Sequence, residues 1–515
     1  MLSAVLDLHN IKLNEISVFN DTYIDKGFIK TSNKEVCFIA EKDIKQTSLS
    51  KSYYGQSITE YEYEKIKEQI KNWSLQSLII ESSLNENKLE ISRNHRAECG
   101  IFLSLKDNKL YIHWDPTELY QHLDKKNSID ITATLAQLEL IARYKYQTVF
   151  KNILTLPERG KALISGNNIE IIKPEIIEKP KAIPLKENAD PVKMFHALIE
   201  ESINSYYLEQ NKTGVILSSG LDTTIVSHFI NKRISPEQLH SFGYWMLGKQ
   251  RDGVKEMRQE TVQKLNAIDY YPAAENNIDT QQLNKKQKLW IDDNILYSLE
   301  QNLAKKALSY GIDCLSTGIG GDELCTLLPE ELAKLNKKTR GDQWNGDPYE
   351  GFTLVSDKYK NSIPTEEDLY WPQGYVGISS PGMANGIGLD FMRCGVWLIH
   401  PLSMADMHIF SYYLPYEWRD KRLLSREALR RLGWSEYFVM QNPKEDLTDT
   451  MIHAMLQTNL EGEFKDSPLV DMGLIDKQKL DYGIKTFREN KSVAIGMKIA
   501  TALKVERGLK SFINS

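Results

Sequence analysis

One stretch constrains this chain more than any other: Gly214-Val215-Ile216-Leu217 running into Ser218-Ser219-Gly220-Leu221-Asp222-Thr223-Thr224. The apolar run suits a short buried strand. Gly220 lets the backbone turn sharply and approach a ligand closely. A helix is expected from about Thr223. A second stretch repeats the plan, with a strand ending at Cys314-Leu315 and then Ser316-Thr317-Gly318-Ile319-Gly320-Gly321-Asp322-Glu323. A further strand is expected at His240 to Tyr244, with helices at Lys255 to Leu265 and Ile295 to Ser309. Strand alternating with helix is the pattern of a parallel sheet covered on both faces. Both glycine turns would then lie at the carboxyl ends of strands, where such folds bind ligands.

The residues in the first turn suit an anion. Backbone amides and the hydroxyls of Ser218, Ser219, Thr223 and Thr224 can converge on one phosphate, and the new helix adds its positive end. Asp222 is out of place for anion binding alone. It makes sense if Mg²⁺ sits between carboxylate and phosphate, and Asp322 in the second turn is placed to share that ion. A glycine turn after a strand is often only structural. Two such turns, each followed by an Asp, favour function. Neither is a Walker loop, because no Gly-Lys-Ser/Thr follows, and the glycine spacing is not that of a dinucleotide fingerprint.

The chain has 515 residues, too many for one ordinary core. Pro174, Pro180, Pro184 and Pro191 recur among Lys and Glu, which reads as an extended connector. The expected division is residues 1–178, a linker at 179–191, and 192–515. Before the linker, β-like runs such as Glu98 to Leu105 and Lys109 to Trp114 alternate with turns. Helices are expected at Glu62 to Trp73 and near Thr132 to Ile141, giving an α+β region with antiparallel sheets. After it, Val192, Phe195, Leu198, Ile199 and Ile203 repeat at helical spacing. Residues 329–373 read as polar and irregular, and the tail from Met404 as mostly helical.

The formal net charge of −6 gives no basic field for nucleic acid. Five scattered cysteines argue against a disulfide framework or a zinc module. The first residues lack the plan of a signal peptide, and no apolar run approaches the ~20 residues of a membrane span. A cytoplasmic protein with no membrane or nucleic-acid partner is expected.

At this point the residues resemble a family. The first turn is similar to the SGGLDS signature of ATP pyrophosphatases, with Ser219 where a glycine is usual and Thr223 and Thr224 replacing serines. The second is similar to the SGxGxDE segment of the asparagine synthetase superfamily. Leu239-His240-Ser241-Phe242 resembles that branch's adenine-side strand, with Tyr244 just beyond it. Gly100-Ile101-Phe102 with Leu110 to Tyr120, and Thr148 to Ile153 with Leu156-Pro157 and Gly160, resemble its glutaminase domain. Arg393-Cys394-Gly395-Val396, Pro401-Leu402 with Asp406, and Arg426-Glu427-Ala428-Leu429 resemble its C-terminal helices. Gln441-Asn442-Pro443-Lys444 falls where the family places a lysine.

The resemblance implies an α/β protein: an N-terminal glutaminase-like (Ntn-type) sandwich, then a parallel-sheet ATP pyrophosphatase domain with a helical C-terminal part. It implies ATP and Mg²⁺. Leu217, Ser218, Ser219, Gly220, Asp222, Thr223, Thr224, Tyr244, Thr317 and Gly318 would bind ATP, Asp222 and Asp322 would hold the metal, and Lys444 would stabilise charge in the transition state. The substrate carboxylate would be adenylated and an amine would displace AMP.

The chain departs from the family at two places. Glutamine hydrolysis needs a cysteine directly after the initiator Met, and this chain has Leu2, whose bulk also disfavours Met removal. A silent N-terminal domain is shared by β-lactam and carbapenam synthetases and lasso-peptide cyclases, whose nucleophile is an amine of the substrate. The Gly320-Gly321-Asp322 spelling is closest to the cyclases. Ile319 is the second departure, since it replaces the Glu, Tyr or His that these relatives carry and cannot move a proton. The expectation is an amide ligase acting on a small-molecule or peptide carboxylate, with a homodimer or biosynthetic partner protein as open associations. An ammonia-dependent asparagine synthetase and a non-catalytic nucleotide-binding relative are the alternatives. His400 is expected to be a hydrogen-bonded structural residue, and Arg419-Asp420-Lys421-Arg422 a solvated helix face.

Overall fold

The N-terminal region is built largely of short strands. They are β1 (Leu2–Asp7), β2 (Ser17–Val18), β3 (Ile24–Lys30), β4 (Lys34–Glu41), β5 (Tyr54–Ser57), β6 (Ser77–Ser83), β7 (Lys88–Arg93), β8 (Phe102–Lys106), β9 (Lys109–His113), β10 (Leu154–Thr155), β11 (Lys161–Ser165) and β12 (Asn168–Ile172). In this computed structural model the described residues are 2–515 except 47, 87, 126, 142–143, 235–238, 279–287, 338–347, 378, 442, 444 and 446. A five-stranded sheet runs β10-β8-β9-β1-β2 and a seven-stranded sheet runs β12-β11-β7-β6-β4-β3-β5. All neighbours are antiparallel except β3 and β5. Asp107 and Asn108 are both left-handed at the β8–β9 turn, which matches the right-handed twist of a tight hairpin.

Three helices accompany these sheets: α1 (Leu49–Ser52), α2 (Glu60–Lys71) and α3 (Ile131–Leu138). Helix α2 starts earlier than its apolar spacing suggests because Thr59 and Glu62 form a reciprocal capping box. Helix α3 stops short of Ile141, and Leu140 just beyond it has left-handed backbone (φ +62°).

Residues 173–190 form no helix or strand. They lie along the C-terminal region, where Ile183 N–H donates to Tyr413 O (3.0 Å) and Lys173 Nζ to Tyr370 O (2.7 Å). Helix α4 (Pro191–Ser205) then begins with the Asp190 carboxylate accepting from Lys193 N–H and with proline in the first turn.

The second half holds five parallel strands: β13 (Thr213–Ile216), β14 (His240–Phe242), β15 (Ile268–Tyr270), β16 (Cys314–Ser316) and β17 (Trp397–Ile399). Their spatial order is β15-β14-β13-β16-β17, and every neighbouring pair is parallel. The chain builds outward from β13 to β15, then returns to β13's other side for β16 and β17. The order therefore reverses between β13 and β16, the switch point where open parallel sheets bind ligands. Helices α5 (Leu221–Arg233), α6 (Arg251–Leu265), α7 (Tyr297–Ser309), α8 (Gly321–Leu324), α9 (Pro329–Lys334), α10 (Glu366–Leu369) and α11 (Ser379–Arg393) fall between or beside the strands. The rest is helical: α12 (Ala405–Tyr413), α13 (Leu423–Arg431), α14 (Glu436–Gln441), α15 (Leu447–Gln457), α16 (Leu460–Glu463), α17 (Pro468–Asp471), α18 (Lys477–Asn490) and α19 (Val493–Asn514). Among the described residues no helix is long and apolar enough to cross a membrane.

Strands β15 and β17 are absent from the sequence reading. Each has three residues, as β14 and β16 do, but neither is followed by the glycine that marks those two. Strand β17 is an edge that the N-terminal region covers. Trp397 Nε1 donates to Glu41 Oε1 (2.8 Å), and Tyr23 OH donates to Asp313 Oδ1 (2.5 Å) at the start of β16. Such cover removes an open edge from solvent.

Candidate functional site

The first turn leaves β13 and starts α5 with Gly220 as the N-cap in extended conformation (φ −74°, ψ 154°). It locks itself. Ser218 Oγ accepts from Gly220 N–H (3.0 Å) and bonds Thr223 Oγ1 (2.9 Å), while Ser218 N–H donates to Thr223 Oγ1 (3.2 Å). The amides of Leu221, Asp222 and Thr223 open the helix and have no acceptor within it, so they form a positive end. Leu217, Ser219 and Thr224 are buried, and the Ser219 and Thr224 hydroxyls have no hydrogen-bond partner among the described residues. Of the hydroxyls expected to face an anion, only those of Ser218 and Thr223 lie at the partly exposed surface of the turn. Tyr244, just beyond β14, is buried with its hydroxyl unpartnered, and burial pushes that phenol's pKa up.

The second turn leaves β16 and packs directly on the first. A Cβ on Gly318 would meet Thr223 Cγ2 at 2.8 Å and Thr223 N at 2.9 Å, and a Cβ on Gly321 would run into the Asp222 carboxylate. Gly320 is left-handed (φ +101°). Only glycine allows this approach and this turn at once. The turn is also pinned from outside. Thr317 Oγ1 bonds His400 Nδ1 (2.6 Å) and accepts from Ile319 N–H (3.2 Å), and Ser403 Oγ donates to Ile319 O (3.1 Å). Both backbone groups of Ile319 are thus engaged, so this position serves the shape of the turn. His400 is buried, and burial holds its imidazole down to about 4. It is neutral near pH 7 and acts as a hydrogen-bonding strut.

Asp222 and Asp322 converge on one positive centre. Arg422 Nη1 lies 3.1 Å from Asp222 Oδ2, and Arg422 Nη2 contacts Asp322 Oδ1. The side chains of Asp222 and Arg422 are 15% and 19% exposed and that of Asp322 46%, so the cluster is reachable from solvent. The expectation of a solvated helix face at residues 419–422 is corrected here. Arg419 is buried in a bidentate pair with Glu331. Lys421 and Arg422 are both left-handed (φ +49° and +59°), which swings Arg422 towards the strand ends instead of along α13. A run of four charged residues carries no sign of this in the sequence.

Arg258 was also missed. It is buried beside the first turn, donates through Nη1 to Leu217 O, and pairs with Asp269 through Nε (3.1 Å) and Nη2 (2.7 Å). Its signal, one arginine among the charged residues of α6, is indistinguishable from a surface charge. Nearby, burial pushes the Glu445 carboxyl up to about 7. Lys444, expected to act on the transition state, lies outside the described residues.

The donor set fits a divalent ion only in part. Among the described residues no group of three or more His, Cys, Asp or Glu side chains could hold a metal. Asp222 and Asp322 supply two carboxylates, so an Mg²⁺ here would complete its octahedron with phosphate oxygens and water, its usual habit. In the N-terminal region, Leu2 is buried on β1 opposite Val18 and fills core volume. Cys37, Cys99 and Cys314 are buried, and all five cysteines are free thiols. No protein-family model matches this chain, and no curated protein matches it.

Proposed function

We propose that the chain is an ATP-dependent amide ligase of the asparagine synthetase type, with an N-terminal glutaminase-like (Ntn-type) fold that does not hydrolyse glutamine. The observation that carries this reading is the meeting of the two glycine turns at the switch point of the parallel sheet, with Asp222 and Asp322 drawn to one cationic centre.

In this reading the amides opening α5 hold a phosphate of ATP, and the helix dipole supports its charge. Ser218 and Thr223 keep the turn in shape for that contact and offer hydroxyls at its rim. Asp222 and Asp322 would hold Mg²⁺, which neutralises charge on the departing pyrophosphate when bound. Arg422 then shifts from carboxylates to phosphate, a bidentate exchange natural to guanidinium. A substrate carboxylate attacks the α-phosphorus, and an amine of the same substrate displaces AMP to form an amide. Leu2 is apolar and buried, so the N-terminal region contributes no nucleophile at that position.

The test is a substrate-dependent release of AMP and pyrophosphate, with the acyl-adenylate trapped by hydroxylamine and weighed. Loss of this release in Asp222→Ala and Asp322→Ala is expected. Unchanged release in both variants removes the assignment.

The Arg422 clamp also favours a second reading, a nucleotide-binding relative without turnover, because its guanidinium already pairs with both carboxylates. Calorimetry separates the two: Mg-ATP binding with no AMP formed across candidate carboxylates supports the second.

A further inference from the structure

The N-terminal region reaches the strand-end site through one buried side chain. Arg96 lies on the loop between β7 and β8 and is almost wholly enclosed. It pairs with Glu98, and its Nη2 also donates to Tyr206 OH (3.0 Å) and His400 O (3.4 Å), while its Nη1 contacts Met404 Sδ. Its guanidinium faces the Tyr206 ring at 5.9 Å. Tyr206, His400 and Met404 all belong to the C-terminal region. One cation from the N-terminal sheets therefore grips three points around the start of α12.

That grip continues to the second turn. His400 carries Thr317 on its ring, and Thr317 carries Ile319 N–H. The His400 carbonyl that Arg96 reaches also accepts Ser403 N–H (3.0 Å), and Ser403 holds Ile319 O. Ser202 Oγ fixes Pro401 O (2.7 Å) from α4, and the backbone of Leu402 stands where a Cβ on Gly320 would be, leaving the turn no slack on that side. The far face of the turn is Gly318 on Thr223 and Gly321 on Asp222. The 400–403 segment is thus a strut between Arg96 and the carboxylate pair.

We propose that Arg96 is a positioning residue for the strand-end site, and that the N-terminal region's role is to hold the second turn through the strut at residues 400–403. The inference rests on the reading of that site given above, but its first readout is independent of ATP chemistry. A buried guanidinium with several acceptors resists rearrangement, because each acceptor left without its donor costs free energy. Losing it frees the strut and then the turn. Arg96 touches no reacting atom, so its effect falls on the fraction of molecules with Asp322 in register.

The experiment uses the full chain with Arg96→Gln, Arg96→Lys and Tyr23→Phe. Tyr23 bonds Asp313 at the opposite end of β16, so Tyr23→Phe loosens the same interface away from the turn. Amide hydrogen exchange is followed on peptides covering 316–324 and 399–404, with peptides from β4 and β6 as the folding control. About tenfold faster exchange in the turn is expected for Arg96→Gln with the control peptides unchanged. Arg96→Lys, which keeps the charge for Glu98 but cannot reach all acceptors, is expected to fall between, and Tyr23→Phe to leave the turn unaltered. Where AMP formation is measurable, kcat falls about tenfold in Arg96→Gln while KM for the carboxylate moves little. Unchanged exchange in a folded Arg96→Gln overturns the proposal, as does an equal rise in Tyr23→Phe. If Arg96→Gln does not fold, Arg96→Lys decides alone by the same criterion. Altered exchange without any ATP turnover leaves the positioning intact and removes the ligase reading. Turnover with unaltered exchange does the reverse.

Discussion

The antiparallel sheets and the parallel sheet differ in one cluster of charged groups. In the N-terminal region the buried charges are locked inward or across to the neighbouring region. Arg93 donates to Leu156 O and Cys99 O, Glu41 accepts from Trp397, Glu158 accepts from Gly374 N–H, and Arg96 grips His400. At the carboxyl ends of β13 and β16, Arg258 is likewise buried and paired, but Asp222 and Asp322 meet at a partly exposed centre around Arg422. Buried charges held by hydrogen bonds across two regions help specify an interface. On the function proposed above, charges left at a switch point beside a helix start are placed to meet a ligand, so the chemistry is expected in the second region with the first as its scaffold.

The largest effect that can break this contrast comes from Asp322→Ala. On the proposed ligase function, removing this carboxylate is expected to lower AMP formation by about a hundredfold or more, as loss of a comparable electrostatic group does. Chromatographic assay of AMP checks it, with a thermal melt showing that the protein stays folded. Comparable activity in the variant would falsify the assignment of chemistry to the strand ends.

Leu2→Ala probes the other side. Leu2 fills core volume on β1, so about 2–5 kcal/mol of stability should be lost, read from the urea midpoint. The rate per folded molecule should stay the same. A rate that drops with Leu2 would give the N-terminal strand a role the contrast denies it.

Gly321→Ala tests the contact between the turns. Its Cβ has no room beside Asp222, and overpacking of this kind costs about 1–3 kcal/mol. Activity should fall further than stability, since the carboxylate itself is displaced. An alanine tolerated in both assays would show that the turns separate freely.

The smallest effect is electrostatic and lies in the scaffold. Burial, reinforced by Glu98, pushes the Glu41 carboxyl from 4.5 up to about 7. The folded chain then holds a proton that the unfolded chain has lost. The associated stability is present in full below about pH 4.5 and disappears as pH rises through about 7. Glu41→Gln mimics the protonated form, so its stability relative to the original chain should improve from pH 5 to pH 8, on the order of 1–2 kcal/mol. His400, held down to about 4, works in the opposite sense: its contribution is present above the ordinary histidine range and lost as pH falls through about 4. The measurement is thus the difference between the two proteins at each pH. A difference that does not vary with pH would mean that Glu41 is ionised in the folded chain.

Much of the frame was readable from local patterns. The strand–turn–helix unit at 213–233, the strand and glycine turn that begin at 314, the amphipathic α4 and the helical tail follow from periodicity, glycine and capping chemistry acting within a few residues. The three-residue strands β15 and β17 were not readable, because no glycine turn follows them as it does the equally short β14 and β16. Nor were the roles of Arg422, Arg258 and Arg96. Each is a charged residue among other charged residues, and each owes its place to partners far along the chain: Asp222, Leu217 and His400.

The sequence by itself determined which residue types stand at the two turns and that a strand precedes each. Those are local properties of backbone freedom and burial. Only the tertiary structure decided that β13 and β16 are neighbours at the point where strand order reverses, that Gly318 and Gly321 seat one turn on the other, and that left-handed backbone at Lys421 and Arg422 brings a guanidinium between the carboxylates. The physical reason is that strand order and side-chain partnering are set by packing the whole core, and the same local signals fit several arrangements until that packing selects one.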